Sequence, residues 1–135
     1  MPDGQGQVSH FDLGSAARVE VMRGPFSTLY GNTSGGVISL FTEDGTPGMM
    51  ITPGVTFGSF GTQRISTKFS GDTGTLNYVA DIASFRTDGY REHSAAKRDT
   101  FNSKFRWTLG AGSQLTLVVN ALDMPNADDP LGLTR

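Results

Sequence analysis

The residue types that could do chemistry are few and poorly placed for it. His10 and His93 are the only histidines in 135 residues. His93, Ser94 and Asp99 supply the side chains of a Ser-His-Asp triad, but a triad is defined by geometry and not by adjacency along a chain. His93 reads most simply as a solvated loop residue. The glycine-rich run Gly31-Asn32-Thr33-Ser34-Gly35-Gly36 invites comparison with a phosphate loop, which needs Lys and then Ser/Thr after its second Gly. Gly36 and Val37 stand there instead, and no G-x-G-x-x-G occurs, so the run reads as a backbone hinge. Asp123, Asn126, Asp128 and Asp129 form an acidic stretch that lacks the EF-hand spacing and reads as a solvated loop. Arg18, Glu20 and Arg23 bring three charges into one short segment, where exposed pairs contribute only ~0–1 kcal/mol each. No catalytic residue, metal ligand or cofactor follows from this inventory, and the chain is not expected to be an enzyme.

The bulk properties narrow the class further. There is no cysteine, which removes disulfide scaffolds and thiolate metal sites. The net charge is −2, with basic residues scattered apart from Lys97-Arg98, so no basic face for nucleic acid is expected. Hydrophobic residues are 36% of the chain and Gly 18 of 135, a composition that suits strands and turns better than helices. Met1 to Ser9 is polar and does not read as a secretory signal peptide. No apolar run approaches the ~18 residues of a membrane helix, a test that alternating barrel strands escape.

Two regions follow. From about Val8 to Thr42 the signals are mixed. Asp12 is a plausible N-cap for a short turn through Ala17. Arg18-Val19-Glu20-Val21-Met22 alternates as a strand half-buried through Val19 and Val21. Gly24-Pro25 breaks that strand and opens a short helix with Phe26, Leu29 and Tyr30 on one face and Gly31 at its end. Gly35-Gly36 precedes a buried strand, Val37 to Phe41. From Thr46 onward, period-2 segments follow one another between Gly-rich turns, with strands expected at 49–59, 63–71, 75–88, 99–110 and 114–123. Ile65, Thr67, Phe69, Phe105, Trp107, Leu115, Leu117 and Val119 should share one surface, with Arg64, Lys68, Lys104 and Arg106 on the other. Asp72-Thr73-Gly74-Thr75 and Gly110-Ala111-Gly112-Ser113 are short turns, whereas the link from Thr87 to Arg98 and the tail after Asp123 are longer and charged.

The stretch Arg18-Val19-Glu20-Val21-Met22-Arg23-Gly24-Pro25-Phe26-Ser27-Thr28-Leu29-Tyr30-Gly31, followed by Gly35-Gly36-Val37-Ile38, resembles the closing segment of the plug domain of TonB-dependent outer-membrane receptors. That pattern reads R-[IV]-E-V-x-R-G-P-x-S-x-L-Y-G and then G-G-V-I, and it is highly specific. Gly58-Ser59-Phe60-Gly61-Thr62 is similar to the first barrel hairpin of the family. Thr87-Asp88-Gly89-Tyr90-Arg91 and Asp129-Pro130-Leu131-Gly132-Leu133-Thr134 are similar to rim sequences of its ferric-siderophore branch.

The resemblance implies a mainly β chain. Residues 1–45 would be the end of a small α+β plug, and 46–135 the first strands of an antiparallel up-and-down meander from a transmembrane barrel of about 22 strands. It implies a Gram-negative outer-membrane location, contact with lipid, import of a ferric siderophore or a similarly scarce solute, and energy from the TonB complex through a segment not in this chain. It also implies that the chain alone cannot transport. Arg18, Glu20, Arg23, Gly24, Pro25, Tyr30, Gly31, Gly35 and Gly36 would carry the plug motif, with the three charged residues pairing to the barrel wall. The substrate and its binding residues stay undefined. A soluble β-rich binding or adhesion domain is the competing reading, because alternating strands serve a sandwich equally well.

Overall fold

The structure is a computed structural model and describes residues 13–24, 35–110 and 112–128. Within them the regular structure is all strand: β1 (Ala16–Arg23), β2 (Gly36–Thr42), β3 (Gly48–Phe57), β4 (Gln63–Asp72), β5 (Leu76–Thr87), β6 (Ala96–Gly110) and β7 (Ser113–Ala127). No described helix is long and apolar enough to cross a membrane, which has no bearing on strands. The expected helix at Pro25 to Gly31, with Tyr30, lies outside the described residues, as do His10, Asp12 and Asp129.

β1 and β2 form a two-stranded antiparallel ribbon, and β3 to β7 form one five-stranded sheet in sequence order. All four pairings in that sheet are antiparallel. It is the meander expected from the alternation, because each short turn returns the chain beside the strand it has just left. The β3–β4 turn places Phe60 and Gly61 at φ 59° and 65°, and Thr62 N donates to Ser59 O at 3.2 Å. Two successive positive φ values are the signature of the turn whose twist matches paired strands. Between β4 and β5, Thr73 N donates to Leu76 O at 2.9 Å and Gly74 takes φ 84°. Pro53 in β3 and Pro125 in β7 occupy the two edge strands, where a missing N–H breaks no ladder.

The register divides the sheet into two unlike faces. Ile65, Thr67 and Phe69 lie opposite Ser84, Ile82 and Ala80. Phe105 and Trp107 lie opposite Tyr78 and Leu76 on one side and Leu117 and Leu115 on the other. Lys68 opposes Asp81, Asp81 opposes Asn102, and Lys104 and Arg106 share that second surface. The expected grouping of side chains is therefore observed. The apolar face is largely uncovered: Ile51, Val55, Phe57, Ile65, Ile82, Leu115 and Leu117 are exposed, Phe101, Phe105 and Trp107 half-buried, and Ser103 is the buried residue on this side. The fully covered apolar side chains among the described residues are Val79 and Ala83, and both sit on the polar face with buried Ser66, Ser70, Asn77, Asp81 and Asn102. The more fully covered face of the sheet is thus the polar one.

Three local expectations are corrected. Val19, Val21, Ile38 and Phe41 are exposed rather than buried, because the ribbon has no described layer over either side. β6 begins at Ala96, and β7 runs on to Ala127, so Asp123 and Asn126 belong to a strand and not to a loop. The register jumps from Asp99↔Asp123 to Lys97↔Asn126, a bulge that absorbs Met124 and Pro125 and lets the strand continue. The turn expected through Ala17 is shorter, with β1 already starting at Ala16.

Candidate functional site: a charged seat on the polar face

Two short segments lie across the polar face, 13–15 before β1 and 43–45 after β2. They meet each other where Glu43 N donates to Ser15 O at 2.9 Å. Ser15 is completely buried there. The ribbon is thus an excursion whose two stems are pinned together against the sheet.

The second stem is held by side chains that the strand period aims at it. Glu43 Oε1 lies 2.6 Å from Lys68 Nζ on β4. Asp44 is gripped from β6, with Oδ1 2.7 Å from Lys104 Nζ and both carboxylate oxygens within 3.2 Å of one Arg106 nitrogen. Lys104 and Arg106 are two apart on one strand, so they emerge side by side. Lys104 Nζ also donates to Thr42 O at 2.9 Å and Glu43 O at 3.4 Å, leaving this ammonium with no vacant proton. Hydrogen bonds to charged groups are worth ~1.5–3 kcal/mol each where shielded. The Lys104 hydrogen bond is the largest influence on the Asp44 carboxyl; burial opposes it, and the net effect holds the carboxyl below the ordinary aspartate value.

Asn77 on β5 completes the grip in the manner of a strand partner. Its Oδ1 accepts from Gly45 N at 2.9 Å and its Nδ2 donates to Gly45 O at 2.9 Å. Only glycine fits there, since a Cβ on Gly45 would stand 2.7 Å from both Gly71 C and Tyr78 O. At the first stem, a Cβ on Gly14 would lie 2.9 Å from the carboxylate oxygens of Asp81. That carboxylate is 3% exposed, with Arg64 3.8 Å away. No group of three or more His, Cys, Asp or Glu side chains that could hold a metal ion occurs among the described residues.

No family model matches the chain.

The residues singled out by the plug-like motif sit elsewhere. Arg18 pairs with Glu20 at 2.9 Å and lies 4.1 Å above the Phe41 ring, so these two charges are satisfied within the ribbon. Arg23 is at the end of β1 and makes no ion pair with the described part of the sheet. Gly24 has φ 122° and Gly36 φ 148°, and Gly24 N donates to Gly35 O at 3.4 Å. These glycines close the described ends of the ribbon. Pro25, Tyr30 and Gly31 lie outside the described residues. The seat itself, Glu43, Asp44 and Gly45 against Lys68, Asn77, Lys104 and Arg106, was missed by motif reasoning. Its one legible signal is an acidic pair at the break in periodicity, matched by three cations at equivalent strand positions.

Proposed function

We propose that this chain is the end of the plug and the first five barrel strands of a TonB-dependent receptor in a Gram-negative outer membrane. It would serve an importer of ferric siderophores or similarly large, scarce solutes. The observation that carries the reading is the division of one sheet between a largely uncovered apolar face and a polar face that holds the preceding segment through ions. An outer-membrane wall needs that arrangement, lipid outside and a hydrated lumen inside. Phe101 to Leu109 on β6 spans eight residue steps, about 26 Å along the strand, or roughly 20 Å across a bilayer after a ~40° tilt. Phe105 and Trp107 stack at 5.8 Å near one end of that band, where aromatic rings suit a membrane interface. The resemblance of Arg18 to Ile38 to the plug motif supplies the family.

On this reading the chain has no catalytic role. Its polar face forms part of the lumen wall, and the seat at Glu43 to Gly45 fixes the point where plug becomes wall. The TonB complex would act through a segment upstream, and the solute would contact loops beyond this chain. Nitroxide labels test the lipid assignment in the intact receptor reconstituted in vesicles. Labels at positions 65, 69, 82, 101 and 117 are expected to relax with oxygen dissolved in lipid, and labels at 64, 68 and 106 with a water-soluble nickel chelate. Equal access of the chelate to both sets would replace the membrane reading with that of a soluble β-rich binding domain.

A further inference from the structure

The described chain contains two Asp-Gly bonds in opposite circumstances, Asp44-Gly45 and Asp88-Gly89. We propose that Asp88 is a site of spontaneous isoaspartate formation, whereas the chemically identical bond at Asp44 is protected by the seat. The reaction needs no partner. The backbone nitrogen of the following residue attacks the carbon of the protonated side-chain carboxyl group, the carboxyl hydroxyl leaves with the nitrogen's proton as water, and a five-membered imide closes. Water then opens one of the two carbonyls. One opening restores aspartate; the other leaves the backbone running through the side chain. Glycine as the following residue favours closure because no side chain crowds the nitrogen.

At Asp44 both reacting atoms are occupied. Gly45 N donates to Asn77 Oδ1 at 2.9 Å, and the carboxylate is held by Lys104 at 2.7 Å and Arg106 at 3.1 Å. Ring closure requires all of these to release together. At Asp88 the hold is weaker. The side chain is 63% exposed, with a 3.7 Å ion pair to Arg86, and it lies against Gly61, where an added Cβ would stand 2.7 Å from its carboxyl carbon. Gly89 N donates to the neighbouring Thr87 Oγ1 at 3.2 Å, a hydroxyl already engaged with Thr62 Oγ1 at 2.9 Å.

The position gives the modification a structural effect. Asp88 N donates to Phe60 O at 2.9 Å, and this bond secures the β3–β4 turn with Phe60 at its positive φ. The Phe60 and Tyr90 rings meet at 6.1 Å across the same junction. Isoaspartate inserts a methylene into the backbone after the Asp88 Cα, so the chain from Gly89 onward is displaced and the Tyr90 ring loses its place against Phe60.

The test incubates the full chain in detergent micelles near neutral pH, in water enriched in heavy oxygen, followed by tryptic digestion and electron-transfer fragmentation. Asp88 falls in the short peptide from Thr87 to Arg91, and isoaspartate and heavy oxygen are expected to accumulate there. The rate should exceed that at Asp44 by about tenfold or more, which an opening cost of ~1.4 kcal/mol at the seat is enough to produce. In concentrated denaturant the two rates should converge. Asn77→Ala should accelerate Asp44 and leave Asp88 unchanged. Asp88→Asn should lose ammonia through the same ring. Equal native rates at the two bonds, or an Asp88→Asn variant whose new side-chain amide persists through the incubation, overturns the proposal.

Discussion

Gly45→Ala should unseat the segment after β2 and cost about 3–5 kcal/mol, combining overpacking with the loss of two hydrogen bonds. The added methyl has nowhere to go. Its nearest neighbours are Gly71 and the Tyr78 carbonyl, backbone atoms of β4 and β5, which cannot retreat without opening their own ladder. The alternative is for the segment to lift, which breaks both Asn77 contacts at once. Gly74→Ala is the control: its φ is 84° and nothing lies within 4 Å of the new methyl. That variant meets only backbone strain, about 1 kcal/mol. Hydrogen exchange at amides 43 and 45 reports the difference. If Gly45→Ala protects these amides as well as Gly74→Ala does, the fit at Gly45 is looser than its contacts imply.

Lys104→Met is expected to raise exchange at amide 45 by roughly 30- to 100-fold, the equivalent of ~2–3 kcal/mol for a donor serving charged and carbonyl acceptors. The methionine keeps the length of the side chain but leaves the Asp44 carboxylate with Arg106 alone and two carbonyls without their donor. The pH profile distinguishes this from a packing defect. The Asp44 carboxyl is held low chiefly by its hydrogen bond to Lys104. A carboxyl whose folded value lies below its unfolded value stabilises above the unfolded value, near 3.9, and that contribution is lost as pH falls through the folded one. Acidification should therefore loosen the parent seat at pH below about 4, and should change the variant less, because an Asp44 returned toward its ordinary value has little pH-dependent stability left to lose. Identical acid profiles for the two proteins would mean that Lys104 does not hold Asp44.

The sheet was largely legible in the sequence because period-2 alternation reports directly on which side chains share a surface. Phe101 to Leu109 alternates without a fault, and its neighbours inherit the same division. Pro125 hid the end of β7, since a proline among acids reads as a loop, while an edge strand with a bulge tolerates it. The ribbon was legible as two strands but not in its burial, for alternation says which residues share a face and nothing about what covers that face. The charged seat was legible least. Glu43 and Asp44 lie where periodicity stops, and the residues that bind them are separated by more than sixty positions in the case of Arg106. The motif drew attention to Arg18 and Glu20, whose charges satisfy each other locally.

The order of pairings in the sheet sets an order of events during folding. Every pairing in the meander joins sequence neighbours, so each hairpin can close over a short loop with little entropy to overcome. The contacts of Lys104 and Arg106 with Thr42 and Asp44 span 62 residues, and β6 must be in place before either can form. Until then the segment from Glu43 to Gly45 is held to the sheet through β4 and β5, by Lys68 on Glu43 and Asn77 on Gly45. A chain stalled after β5 would have a wall but an incomplete seat, so the excursion between Ala16 and Thr42 becomes fully fastened only when the fourth strand of the sheet arrives.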